Sequence, residues 1–254
     1  MNAILLCEGE TDQIILSYYF IKRFNYAYRK DLSKLLNVNS QAEHISLYVH
    51  DDDKLTIWAV GGNDLLIPAL EKVFNINKTN AGKVYEKIVV IADRDSSLEL
   101  ENLWKELKKC MNKFGINDEF RSEEWISVNQ NIDFNDTLSL EILGLGIPLE
   151  TDGALETFLL NALGAKDDNK YLVCKSKEFV KDLLDNKKSF PDKYLSNRRL
   201  RIKAPLAVFF AITSPDRMFN EINEILKSIP WEEYEKIQKD FHLLNKLVVK
   251  ETDT

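Results

Sequence analysis

Twice in the first hundred residues an acid follows directly on an apolar run. Ala3–Cys7 is followed by Glu8, and Lys87–Ala92 (KIVVIA) is followed by Asp93 and, two positions on, Asp95. Short runs of this kind suit strands buried in a parallel sheet. In such sheets the functional crevice lies at the carboxyl ends of the strands, so these three acids share one sheet edge. Gathered carboxylates form a hard-oxygen donor set that suits Mg²⁺ or Mn²⁺. Acids at strand ends also cap the next helix, and Asp12 and Ser96 are placed to do only that. For a single Asp, capping is the stronger reading. For Glu8 together with an Asp-X-Asp pair, cation binding is.

Strands and helices alternate around these acids. After Ala3–Cys7, Thr11 or Asp12 is expected to cap a helix carrying Ile14, Ile15, Tyr18, Tyr19 and Ile21. Ile45–His50 and Leu55–Val60 alternate as a hairpin inserted around Asp51-Asp52-Asp53-Lys54. Gly61-Gly62-Asn63-Asp64 turns the chain into a helix over Leu65–Phe74, and Ser96 or Ser97 caps another from Leu98 to Phe114. Strands are expected at Trp125–Val128 and Leu138–Pro148, then a helix over Ala154–Leu163. Beyond residue 165 come helical segments near Lys177–Leu184, Ala204–Phe210, Arg217–Ser228 and Trp231–Val249. The expected fold is α/β: a mostly parallel sheet with helices on both faces over 1–165, and a mainly helical section over 166–254 packed on it.

Composition narrows the function classes. With 44% hydrophobic and 30% charged residues the chain is globular. A net charge of −7 argues against a passive nucleic-acid binder but not against an enzyme that meets phosphate through bound cations. Cys7, Cys110 and Cys174 have no ligand spacing and read as reduced thiols. His44, His50 and His242 form no ligand pattern either. No signal peptide and no run of about 20 apolar residues is present, so a cytoplasmic protein without a membrane segment is expected. Asp51-Asp52-Asp53 reads as a solvated turn. The Trp231–Lys250 stretch reads as an amphipathic core helix, with a homodimer or partner contact as the alternative.

Cys-Glu-Gly-Glu-Thr-Asp (7–12) and Ile-Ala-Asp-Arg-Asp (91–95) resemble the opening and Asp-X-Asp motifs of Toprim domains. Gly61-Gly62 and the segment Ile147–Leu160 resemble the branch of overcoming-lysogenization-defect (OLD) nucleases. The resemblance covers about 1–210 and implies a Mg²⁺- or Mn²⁺-dependent endonuclease, with two ions about 4 Å apart, acting on DNA or RNA. It gives Glu8 a catalytic or metal-binding role and makes Asp12 the second acid of the opening motif. Asp93 and Asp95 become metal ligands, and Glu156, in Gly153-Ala154-Leu155-Glu156, becomes the late acid, with Glu150 and Asp152 as competitors. A lysine is expected to stabilise charge on the phosphate; Lys203 is the choice, with Arg198, Arg199 and Arg201 as rival cations.

The same resemblance implies a defence-type effector. Related nucleases carry an ATPase domain, and no phosphate-binding Gly-X-X-X-X-Gly-Lys-Ser/Thr loop stands here, so either a stand-alone nuclease or an effector with a separate ATPase partner is expected. Topoisomerase chemistry lacks a tyrosine in a recognisable context, and primase chemistry lacks a zinc-ribbon pattern. The alternatives are a non-catalytic Toprim scaffold and a phosphate-binding, receiver-like module.

Overall fold

The structure, a computed structural model, describes residues 1–31, 43–79, 84–94, 96–133, 136–151, 153–185, 193–215 and 222–248. Its centre is a seven-stranded sheet of β1 (Asn2–Cys7), β2 (Ala27–Asp31), β3 (His44–His50), β4 (Asp53–Ala59), β5 (Lys87–Asp93), β6 (Ile126–Ile132) and β7 (Asp136–Ile147), in the order β2-β3-β4-β1-β5-β7-β6. The central four strands β4, β1, β5 and β7 pair in parallel, while β3 and β6 run against them. The chain is therefore α/β with a mostly parallel sheet, as expected.

Alternation along β1 divides the core. Ala3, Leu5 and Cys7 join one buried cluster with Ile15, Leu16 and Tyr19 of α1 (Glu10–Phe24) and Phe158 and Leu159 of α4 (Leu155–Leu163). Ile4 and Leu6 join the other, with Leu70 and Val73 of α2 (Leu66–Lys78) and Leu103 and Leu107 of α3 (Ser97–Lys113). Helices thus cover both faces. The right-handed crossover rule then sets the topology: the connection from β1 to β4 carries α1 on one face, and that from β4 to β5 carries α2 on the other. The winding reverses between β1 and β5, which makes their carboxyl ends a topological switch point.

The C-terminal section is helical and closes the first face. It comprises α5 (Asp167–Asp185), α6 (Arg198–Thr213), α7 (Ile222–Ser228) and α8 (Glu235–Asp240). Leu206, Phe209, Leu226, Trp231, Ile237 and Phe241 lie in the same cluster as β1. Among the described residues no helix is long and apolar enough to cross a membrane.

Several elements differ from the sequence reading. The strand β2 is absent from the sequence reading, because Ala-Tyr-Arg-Lys-Asp is a charged strand that, among the described residues, lies at the sheet edge beside β3. Asp53 does not belong to the solvated turn. It opens β4, is buried, and takes the N-terminal amine at 3.0 Å. The segment Trp231–Val249 is not one helix but two 3₁₀ turns, Trp231–Glu233 and His242–Leu247, flanking α8. Its apolar residues 231, 234, 237, 241, 244 and 247 recur mostly at three, nearer the 3₁₀ repeat than the α repeat. All six are buried.

Candidate functional site

Glu8 emerges from β1 and is held by its neighbours on both sides. Its carbonyl accepts the Gly61 N–H at 2.9 Å, so the turn leaving β4 fixes its backbone. Its side-chain Oε1 accepts the Asp93 N–H at 2.9 Å and thereby ties the end of β1 to the end of β5. Asp93 in turn accepts, through Oδ1, the N–H of Leu155 at 3.0 Å. Leu155 is the first residue of α4, whose Ala154 cap has no side chain able to serve that amide. Glu8, Asp93 and α4 therefore form one hydrogen-bonded chain across the switch point.

Asp12 is the third residue of α1, not its cap. The cap is Gly9, and Asp12 reaches back to the Gly9 N–H at 2.7 Å. Glu156, on the first turn of α4, is buried and its Oε1 meets Lys203 Nζ of α6 at 2.6 Å. Lys203 precedes the helix expected from Ala204, yet it sits in the second turn of a helix that starts at Arg198. Burial, then repulsion from Glu8 and Glu156, raises the Asp12 carboxyl to about 7, against the pull of Gly9 and Lys203. Burial, followed by the carboxylates of Asp12, Glu8 and Asp93, likewise pushes the Cys7 thiol well above its ordinary value. Glu8, Asp12 and Asp93 thus share one cleft, with Glu156 and its partner Lys203 beside Asp12, and the buried Cys7 thiol is inert.

The rival residues go elsewhere. Glu150 turns outward to Lys239 at 2.6 Å. Arg198 lies 3.9 Å from Glu99, and Arg201 donates to the Leu195 carbonyl at 2.8 Å. Asp95 and Asp152 lie outside the described residues, as does the side chain of Arg199. Among the described residues no three His, Cys, Asp or Glu side chains are grouped as ligands of a metal ion.

Two residues that hold the site were not singled out in the sequence. Arg94, between the two aspartates, donates from Nε to the Pro148 carbonyl at 2.7 Å and pairs with Glu123. Its backbone accepts the Gly153 N–H at 2.8 Å. Gly153 has φ +153°, and a Cβ there would stand 3.0 Å from Thr157. Glycine is therefore needed where the chain turns to aim α4 at Asp93. The small cleft between these parts has the acids Glu8, Asp12 and Asp93 on a floor of Leu16, Ile91, Ile147, Leu155 and Phe241. An apolar floor strengthens every charge interaction above it.

The donors here are carboxylate oxygens, the atom type that hard divalent cations take. Burial first, and repulsion from Glu8 and Glu156 after it, hold Asp12 near 7. The sign of its pH dependence follows. Asp12 keeps its proton longer in the folded chain than at its ordinary 3.8, so stability falls as pH rises from about 4 to about 7 and is flat beyond. Asp12→Asn keeps an acceptor for Gly9 and removes this cost. Without divalent cations at pH 8, thermal unfolding of the variant is expected above that of the wild type by about 1–3 kcal/mol, trimmed from the full shift by partial solvent contact. An unchanged or lower melting temperature would remove the crowding argument.

A profile of the family described as a protein of unknown function, DUF3226, matches residues 2–247, and the chain belongs to that family. A search of curated proteins returned no match. Among solved structures, a hypothetical protein from Pyrococcus horikoshii OT3 is similar, with 14% sequence identity and a TM-score of 0.56 over 98% of this chain and 99% of that one. That likeness is one of fold.

Proposed function

We propose that the switch-point acids form the catalytic centre of a Toprim-like, OLD-like nuclease that hydrolyses nucleic-acid phosphodiesters with Mg²⁺ or Mn²⁺. The observation that supports this reading is the meeting of Glu8, Asp12 and Asp93 in one cleft at the ends of β1 and β5, with Glu156 and its partner Lys203 beside Asp12. Glu8, Asp12, Asp93 and Glu156, with Asp95, would hold the cations, which when bound supply charge stabilisation at the phosphate and lower the pKa of a water.

The chain's own residues prepare the site. Glu8 fixes the spacing of the two strand ends through the Asp93 N–H. Asp12 accepts the Gly9 N–H and so fixes the turn between β1 and α1 beside Glu8. Glu156 anchors Lys203, whose ammonium is placed to offset charge developing on the scissile phosphate. Purified protein with Mg²⁺ or Mn²⁺ is expected to cut at least one of plasmid DNA, single-stranded DNA and tRNA, and to stop in EDTA. Metal-independent cleavage, or none with any substrate, would count against the assignment. A separate ATPase partner belongs to the same reading, and its stoichiometric co-purification is the matching test.

One specific observation favours a non-catalytic scaffold instead. Glu8, Asp12, Asp93 and Glu156 each have a protein partner, so each already contributes to the fold. The two readings separate on divalent-cation binding, which a scaffold does not require.

A further inference from the structure

The chain is acidic overall, at −7, yet the stretch 193–203 carries Lys193, Arg198, Arg199, Arg201 and Lys203 with no acid among them. The first turn of α6 contains no acidic residue, although a helix start favours one, so helix stability does not account for this cationic set. The strip is exposed where it leaves the acid cluster. Tyr194 is 63% exposed and Leu200 40%. The Lys193 ammonium lies 5.0 Å from the Tyr194 ring centre. At one end Lys203 meets Glu156 inside the site, and Arg198 stands beside Glu99 on the first turn of α3, just past Asp93.

We propose that this strip binds single-stranded nucleic acid, with Tyr194 beneath a base and Arg198 and Arg201, three residues apart on one face of α6, along the phosphates. Cations follow the phosphates, and an exposed aromatic ring provides a stacking platform for an unpaired base. A duplex hides its base faces and would gain from the cations alone. The inference rests on the proposed nuclease site for its purpose, but not for its test, which reads binding.

The test is fluorescence anisotropy of the full chain with a labelled single-stranded DNA, the same sequence as RNA, and its DNA duplex, all in EDTA. Single strands are expected to bind more tightly than duplex, and the DNA and RNA arms say which strand is preferred. Tyr194→Ala is expected to weaken single-strand binding about tenfold, whereas Tyr194→Phe retains it. Arg198→Glu with Arg201→Glu is expected to weaken both ligands and to flatten the salt dependence by about one per lost phosphate contact. Duplex bound as tightly as single strand, or variants that bind as the wild type does, would overturn the binding strip. Single-strand binding by a protein that cleaves nothing would uphold the binding strip and sink the nuclease reading. Duplex cleavage with unaffected variants would do the reverse.

Discussion

Asp93→Asn is expected to lower cation-dependent cleavage by about 10³-fold, the scale on which a charge-stabilising group is lost from a transition state, while the fold persists. Asparagine is the informative replacement because Asp93 has two roles. Its Oδ1 takes the Leu155 N–H at 3.0 Å, and an amide oxygen can still accept that bond. Asp93→Ala would strip the first turn of α4 of this acceptor and cost about 0.5–2 kcal/mol in addition, the range of a lost helix cap. Steady-state cleavage and thermal unfolding, measured on both variants, separate chemistry from fold. If the asparagine variant cuts at the wild-type rate, Asp93 belongs to the fold alone.

Lys203→Met is the second large effect, and it acts on both stability and activity. It leaves Glu156, only 8% exposed, without its 2.6 Å partner. Breaking a fully buried pair costs about 3–5 kcal/mol. Lys203 is 36% exposed on its side chain, so about 1–3 kcal/mol is expected, a fall of several degrees in melting temperature. The same change removes the cation that restrains Asp12. Adding Glu156→Gln should restore most of the stability, since no unpaired charge is then buried, but cleavage should stay down about 10²-fold. Recovery of both together would reduce Lys203 to a structural partner.

The parts of the fold that were legible in sequence are those where local pattern and burial agree. Lys87–Ala92 is apolar on both faces because β5 lies between two strands and under helices on either side, so its run could be read without its neighbours. Ser96 caps α3 through the Glu99 N–H, as a serine before an apolar-periodic run suggests. What escaped was pattern set by tertiary contact. Helix α5 is expected from sequence only at Lys177, because Asp167–Lys170 is polar and the short apolar run Tyr171–Cys174 is largely exposed, while its buried positions are Val173, Ser176 and Val180. The strand β6 was cut short at Val128. Its continuation opens with polar Asn129–Asn131, and the buried Gln130 donates to the Phe74 carbonyl at 2.8 Å.

The candidate site divides in the same way. Glu8 and Asp93 follow their strands directly, so topology alone placed them at one edge. Glu156 and Lys203 come from distant helices, and only the resemblance connected them in sequence. Asp12 was offered as a cap, whereas it accepts the Gly9 N–H from the third position of α1. Gly153 left a weak trace. A glycine after the Pro148 turn and before an apolar helix marks a backbone under constraint, but its φ of +153° is set by the bridge to Arg94.

The most direct measurement of the central claim is isothermal calorimetry of the purified, metal-free protein at pH 8 with Mn²⁺ and then Mg²⁺, alongside Asp93→Asn. Saturable binding to the wild type, weakened at least tenfold in the variant, is expected. Absence of binding heat with both ions, in a protein that is folded by thermal unfolding, would contradict it and leave the acids of the switch point as structural partners of α1, α4 and α6.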